Sequence, residues 1–119
     1  MVSYKRETER FHIMQTDPHD TFKALADPTR REILGLLKSR EMTIGDVTRH
    51  FDITRPAVKK HLAILESGRL ITVTPRGRER INAINPEGFR ELENWLEIFD
   101  RFWDDRLSAL KTAVEKDAS

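Results

Sequence analysis

The sequence of 119 residues predicts a single domain that is mainly α-helical and carries one small β-hairpin. Three observations support this fold class. Apolar residues recur at helical spacing over much of the chain, one short stretch alternates as β-strands do, and a long periodic segment follows that stretch. We therefore expect about five helices, with a two-stranded hairpin immediately before the last one.

The first two helices are separated by Asp27 and Pro28. An aspartate can cap a helix and a proline suits its first turn, so the second helix is expected to begin here. Its inward side is predicted to comprise Ile33, Leu36 and Leu37. Residues 1–17 precede the first helix and are interpreted as an N-terminal extension of the same domain.

The third and fourth helices are predicted to form a helix-turn-helix. Thr43 can cap the third, and Thr54 can cap the fourth, which should run to about Ser67. Gly68 is expected to end the fourth helix in the left-handed conformation. The buried side of the third helix is predicted to comprise Ile44, Val47 and Phe51. Only residues 52–54 would then separate the two helices, which is the spacing of this motif.

After Gly68 the pattern becomes extended. The segments LITVTPR and ERINAIN flank Gly77 and Arg78, and their alternation predicts a hairpin that turns near Gly77. Pro75 restricts the first strand to the edge of a sheet, because proline cannot donate to a ladder. Three arginines are expected at the tip: Arg76, Arg78 and Arg80. A helix-turn-helix followed by a hairpin with a basic tip predicts a winged helix-turn-helix.

The last segment, residues 86–116, has the longest helical periodicity. Asn85 can cap this helix and Pro86 can open it. Apolar residues follow one side at steps of three or four, and Trp95, Ile98 and Phe102 widen this stripe: Phe89, Leu92, Leu96, Phe99, Trp103, Leu107, Leu110 and Val114. A domain of this size cannot easily cover so broad an apolar face by itself. We therefore expect residues 86–116 to be a dimerisation helix that pairs with its copy in a second subunit.

The charge is unevenly distributed, although the whole chain carries only +1. Residues 1–20 carry −1, residues 21–85 carry +6 and residues 86–119 carry −4. Seven of the basic residues, against two acidic ones, lie between Thr54 and Arg80. A basic central region of this kind indicates contact with a polyanion.

The fourth helix has an apolar side and a basic side. With a rotation of about 100° per residue, Leu62 and Leu65 fall within about 40° of Val58, so these three residues face the core. Pro56 and Lys60 lie roughly opposite, with Lys59 and Arg55 towards the exposed side. Such a face suits phosphates and guanine edges in a major groove, so double-stranded DNA is the predicted partner. Thr43 and Thr54 are helix caps first, but the hydroxyls and amides at a helix start can also hold phosphate.

Four segments together resemble the ArsR-type winged-helix transcriptional repressors: ALADPTRREIL, KHLAILESGRLI, PRGRERINAIN and NWLEIFDRFWDDRLSAL. The resemblance extends from about Asp20 to Val114. It implies a homodimer, joined through its first and last helices, that binds an operator of approximate two-fold symmetry and represses transcription. The positions equivalent to the family's base-contacting residues are Arg55, Pro56, Lys59 and Lys60. The implied interface comprises Phe22, Leu92, Trp95, Leu96, Phe99, Phe102, Trp103, Leu107 and Leu110.

The same resemblance raises the question of metal regulation, since well-known members of this family release DNA when metals bind. One of their sites uses cysteines on the helix before the recognition helix, where this chain reads MTIGDVTRHF. The other uses histidine and carboxylates on the last helix, which has no histidine here. We therefore expect no metal and no cofactor, and the sequence leaves open whether a small-molecule inducer exists.

Remaining candidates for other chemistry are few. His12, Asp17, His19 and Asp20 lie close in sequence but match no defined zinc spacing. His50 and His61 are interpreted as structural or phosphate-facing, and Arg30 and Arg31 as pairing with carboxylates or packing across the second helix. The chain lacks a Gly-rich phosphate loop and a cysteine nucleophile, so no enzyme is predicted.

The charged N-terminus and the absence of an apolar run of membrane length predict a cytoplasmic protein. An alternative to the DNA-binding repressor is a winged helix that serves as a protein-interaction module, with its last helix binding a different partner. The basic region between Thr54 and Arg80 favours DNA, because a protein-docking domain does not need it.

Overall fold

The computed structural model describes residues 18–118. Within this range the chain forms five helices and three strands, in the order α1 (His19–Leu25), α2 (Pro28–Ser39), β1 (Met42–Thr43), α3 (Ile44–Thr48), α4 (Arg55–Ser67), β2 (Ile71–Arg76), β3 (Glu79–Ile84) and α5 (Pro86–Ala118). The predicted fold class, mainly helical with a hairpin before the last helix, is confirmed. The N-terminal extension, with His12 and Asp17, lies outside the described residues.

The helix-initiating role predicted for Asp27 is confirmed. Its Oδ1 accepts hydrogen bonds from the amides of Thr29 at 2.8 Å and Arg30 at 3.3 Å, and Pro28 occupies the first position of α2. Burial acts to raise the pKa of Asp27, but the two amides and the Arg30 charge outweigh it and leave the pKa below its usual value. The carboxylate therefore caps α2 in its charged form.

The core lies between α2, α3, α4 and the sheet. Its fully buried larger side chains are Ile33, Val47, Val58, Leu65, Leu70 and Ile71. Each contributes roughly 1.5–3 kcal/mol by leaving water. The inward side predicted for α2 is partly wrong, because Leu34 is buried while Leu36 packs only at the margin of the core. The buried stripe of α2 is rotated so that it also includes Arg30.

The sheet has three antiparallel strands in the order β1-β3-β2, rather than the two that were predicted. β1 pairs Met42 with Asn82 and Thr43 with Ile81. The edge position predicted for the strand containing Pro75 is confirmed. Gly77 and Arg78 form a two-residue turn between β2 and β3, and Gly77 adopts φ +64°, which a residue without Cβ tolerates.

The predicted extent of α3 is wrong, because the helix ends at Thr48 and not near Phe51. The amides of His50 and Phe51 bond to carbonyls three residues back, at 3.0 and 3.1 Å, which tightens the chain out of the α-helix. Residues 49–54 therefore connect α3 to α4. Phe51 still packs, half-buried, against the core.

Helix α4 ends at Ser67 as predicted, but the left-handed conformation predicted for Gly68 is wrong. Gly68 has φ −80°, and the left-handed residue is Arg69, with φ 62°. The amide of Arg69 bonds to Glu66 O at 2.9 Å and that of Leu70 to Leu65 O at 3.1 Å, which is a Schellman ending. Gly68 instead allows α1 and the end of α4 to pack closely, since a Cβ there would lie 2.9 Å from the carbonyl oxygen of Asp20 in α1.

The long helix α5 begins against the end of α4 and then leaves the body of the domain. A Cβ on Gly88 would overlap the carbonyl of Arg69, so only glycine allows this approach. The Asn85 side chain donates from Nδ2 to the same carbonyl at 2.9 Å, and Arg69 pairs with Glu91 at 3.1 Å. With 33 residues α5 is about 50 Å long. Within residues 18–118, none of the helices has the length and apolar character needed to cross a membrane.

Candidate nucleic-acid interface

The basic side of α4 is exposed over its whole length. Val58, Leu62 and Leu65 are buried, as the helical rotation predicted. The opposite side presents the four residues expected to meet DNA, all of them exposed: Arg55, Pro56, Lys59 and Lys60. Because the apolar side packs on the core, the basic side faces away from the core.

The N-terminal end of α4 is open to an anion. Thr54 caps the helix by accepting from the amide of Ala57 at 3.3 Å, and Arg55 and Pro56 form the first turn. This first turn contains no acidic side chain. The positive end of the helix dipole is therefore uncompensated within α4 and adds to the charge of Arg55.

Thr43 lies in a capping box at the start of α3. Its Oγ1 accepts from the Asp46 amide at 3.1 Å, and Asp46 Oδ2 accepts from the Thr43 amide at 3.1 Å. The hydrogen bonds from Thr43 lower the pKa of Asp46, and Arg40 and Arg49 lower it further. The interpretation of Thr43 as a cap is confirmed, and the residue is half-buried.

The wing carries its three arginines on exposed positions, but they do not form one patch. Arg76 is opposite Glu79 and Arg80 is opposite Pro75, so Arg76 and Arg80 project from opposite faces of the ribbon. Arg78 lies in the turn between them. Arg76 also pairs with Glu41 at 3.0 Å, an exposed contact of little energetic weight that a phosphate could replace.

Arg30 and Arg31 lie in α2 and bind the carbonyl oxygens at the C-terminal end of α1. Arg30 Nε donates to Ala24 O at 2.8 Å and its Nη2 to Lys23 O at 2.9 Å. Arg31 Nη1 donates to Leu25 O at 2.7 Å. These carbonyls are among those that a helix leaves without intrahelical partners at its C-terminus. The two arginines of α2 therefore supply hydrogen-bond donors to the last turn of α1. Their main partners are backbone carbonyls of α1, rather than the carboxylates or the surface of α2 that were expected.

The two histidines near the helix-turn-helix also make contacts within the chain. His61 is half-buried, and its Nδ1 lies 3.2 Å from Arg30 Nη1. His50 Nδ1 lies 3.0 Å from the carbonyl oxygen of Asp46. Within the described residues no three His, Asp or Glu side chains are grouped so as to hold a metal ion.

A second candidate surface combines α1 with α5. The Phe22 ring meets the Trp95 ring edge-on with centroids 5.0 Å apart, and Trp95 lies 4.5 Å from Phe99. Leu92 and Trp95 are half-buried, whereas the outer part of α5 exposes large apolar side chains, with Trp103 at 58% and Leu110 at 61%. The remaining exposed members are Leu96, Ile98, Phe99, Phe102, Leu107 and Val114. Phe22, Trp95 and Phe99 thus form a chain of ring contacts, and α5 exposes further apolar side chains beyond it.

Comparison with known proteins places the fold in a known family. The family model described as "Bacterial regulatory protein, arsR family" matches residues 27–73, from the cap of α2 into β2. The chain is 38% identical to the transcriptional repressor SdpR of Bacillus subtilis over 78 residues, which is 66% of this chain and 87% of that one. It is 33% identical to the HTH-type transcriptional regulator Rv2034 of Mycobacterium tuberculosis over 100 residues, 84% of this chain and 91% of that one. The solved structure of an ArsR-like transcriptional regulator from Rhodococcus sp. RHA1 superposes with a TM-score of 0.71 at 30% identity, covering 79% of this chain and 89% of that one.

Proposed function

The chain belongs to the ArsR family and is a DNA-binding transcriptional regulator, and we propose that it is a homodimeric repressor that reads an inverted-repeat operator through α4 and its wing. The SdpR relative is a transcriptional repressor. This role requires no catalysis by the chain and assigns it to the cytoplasm, where it meets its operator.

The observation that carries the proposal is the exposed side of α4. A B-DNA major groove of about 12 Å admits one α-helix, and the side of α4 opposite the core presents only short or basic side chains at its N-terminal half. Arg55, Lys59 and Lys60 can reach guanine edges, while Thr54 and the open helix start can hold a phosphate. Pro56 leaves the approach to the bases unobstructed.

The wing supplies contacts to the sugar-phosphate backbone beside the groove. Arg78 at the turn and Arg80 on one face of the ribbon can meet phosphates of one duplex segment, whereas Arg76 projects from the other face and would contact the backbone there on leaving Glu41. Contacts of this kind fix orientation without reading sequence. We assign sequence selectivity to α4 and general affinity to the wing.

The dimer is supported by the spacing of apolar residues on α5. Starting at Trp103, they recur at steps of four, three and four in both directions: Leu107, Leu110 and Val114 on one side, and Phe99, Leu96 and Leu92 on the other. A stripe with this symmetry matches itself when a second α5 runs antiparallel, with Trp103 facing Trp103 of the partner subunit. Such a self-complementary surface is what a two-fold interface requires.

The experiment that tests the DNA-binding step is the salt dependence of binding to duplex DNA. Each phosphate neutralised by a basic residue should add about −0.9 to the slope of log affinity against log salt concentration. With about four to six such contacts per protomer, affinity should fall steeply between roughly 50 and 200 mM salt. Binding that does not change over this range would contradict the proposed interface.

A further inference from the structure

Helix α1, which carries part of the proposed dimer surface, is connected to the reading helix α4 at two places. One is the C-terminal end of α4 and the other is its middle. α1 carries Phe22, which packs on Trp95 of α5. The same helix lies against α4, where Thr21 Oγ1 donates to Gly68 O at 3.0 Å and Gly68 allows the backbones to approach closely. The second tie is formed by Arg30, which belongs to neither helix.

Arg30 connects the carbonyl end of α1 to the middle of α4. Arg30 is only 9% exposed, and its guanidinium donates to Lys23 O and Ala24 O in α1. The remaining Nη1 is directed at His61 Nδ1 in α4, at 3.2 Å, with Asp27 Oδ2 at 4.0 Å. One planar group therefore spans α1 and α4, and its donors are in fixed geometry.

The contact with Arg30 determines which role the Nδ1 atom of the His61 ring plays in the hydrogen bond. A guanidinium only donates hydrogen bonds, so Nδ1 must accept and carries no proton in this arrangement. His61 directly follows Lys59 and Lys60, which are exposed. A rotation of α4 about its axis would break the Arg30 contact and would move both lysines.

We infer that Arg30, acting through His61, is a positioning residue that sets the angle of α4 relative to the dimer surface and so determines which spacing of half-sites the dimer accepts. This inference rests on the proposed homodimer. If α4 were free to rotate on α1, each protomer could still bind one half-site, but the two reading helices would no longer match two half-sites at once. Simultaneous engagement is where a dimer gains most of its affinity.

The test uses the absence of cysteine from the chain. A single Ala63→Cys substitution on the exposed side of α4 places one spin label per protomer, and pulsed electron double resonance then measures the distance between the two α4 helices in the DNA-free dimer. In the parent protein we expect one narrow distance distribution. In His61→Leu, which cannot accept from Arg30, the distribution should broaden or shift.

The matched control is His61→Asn, because the Asn Oδ1 can accept a hydrogen bond close to the position of Nδ1. It should restore the narrow distribution even if its unfolding midpoint is lower than that of the parent. A residue with a merely structural role would lower the stability of both variants and leave the distances unchanged. An intact His61→Leu dimer with the parental distribution would overturn the inference, whereas an absence of dipolar coupling in the parent would overturn the proposed dimer itself and the inference with it.

A second readout uses DNA. The ratio of affinity for a duplex with two inverted half-sites to that for a duplex with one should fall about tenfold or more in His61→Leu, while single half-site affinity stays near the parental value. His61→Asn should keep the parental ratio. An equal loss on both duplexes in His61→Leu would contradict a positioning role.

Discussion

The Phe22 ring stands edge-on to the Trp95 ring, with 5.0 Å between their centroids and 68° between their planes. This contact joins α1 to the long helix α5 within one protomer and extends the exposed apolar side of α5 onto α1. In the proposed dimer, α1 and α5 of one protomer would therefore contribute to the same surface. Beyond Phe99, α5 exposes further large apolar side chains, among them Trp103, Leu107 and Leu110.

Trp103→Glu should convert the dimer into a monomer. The substitution places two carboxylates opposite each other at the proposed two-fold axis, where burial without a partner is costly. Sedimentation velocity should show the mass of one chain instead of two. Asp105→Ala, on the opposite side of α5, is the control and should stay dimeric, and a dimeric Trp103→Glu would rule out this interface.

Cysteine cross-linking tests the antiparallel register. In the proposed pairing Trp103→Cys meets its own copy and should form a disulfide-linked dimer under mild oxidation. Neither Leu96→Cys nor Leu110→Cys should link to itself, but a mixture of the two should link, because these positions lie opposite each other. If each of them links to itself, the helices run parallel and the register is wrong.

Lys60→Ala and Arg78→Ala should weaken DNA binding in different ways. Lys60 faces the groove, so its loss should cost about 1–3 kcal/mol on the preferred duplex and should change which sequence is preferred. Arg78 is assigned to the backbone, so its loss should weaken all duplexes alike and make the salt slope shallower by about one phosphate. Lys111→Ala on α5 should have neither effect. If Lys60→Ala weakens binding to all duplexes equally, Lys60 does not read a base.

Gly88→Ala should destabilise the fold, since a Cβ there meets the Arg69 carbonyl at the junction of α4 and α5. Relief requires the start of α5 to move, at a cost of about 1–3 kcal/mol in the free energy of unfolding. Gly35→Ala is the control, because Gly35 is exposed in α2 and a Cβ there meets nothing within 4 Å. That change should stabilise by about 0.5–1 kcal/mol. Denaturant midpoints measure both, and a neutral Gly88→Ala would contradict the close approach.

The two helix-capping carboxylates predict a loss of stability in acid. The pKa values of Asp27 and Asp46 lie below the usual value of 3.8 in the folded chain, so the unfolded chain binds protons more readily as pH falls. Their stabilisation is present in full above that value and disappears as pH falls through the folded-state pKa values. Asp46→Asn retains a capping side chain without titrating, so its stability deficit should be visible near neutral pH and should vanish in acid. A deficit independent of pH would contradict the charged cap.

Most elements were predictable from local signals. Asp27, Thr43 and Thr54 each precede a helix and cap it as expected, and the alternation around Gly77 predicted the hairpin. β1 was missed because two residues cannot show an alternating pattern. The exposed side of α4 followed from rotation about the helix, since its apolar residues repeat at regular steps.

The errors and omissions arise from tertiary contacts. Gly68 was assigned the left-handed conformation, but it lies against Asp20 and Ala24, and Arg69 adopts that conformation in its place. The hydrogen bond between Arg30 and His61 joins residues 31 positions apart, so no local pattern in the sequence predicts it. The pairing of Arg76 with Glu41 likewise depends on how the sheet meets the end of α2.

The central claim is that the chain binds a specific DNA sequence as a dimer. Its most direct test is selection of bound duplexes from a random pool at near-physiological salt, followed by sequencing. We predict enrichment of a motif with two inverted half-sites, whose centres are separated by about one helical turn of DNA or a multiple of it. The Lys60→Ala variant should enrich a different or weaker motif from the same pool. Enrichment of no motif by the intact chain would contradict sequence-specific reading through α4.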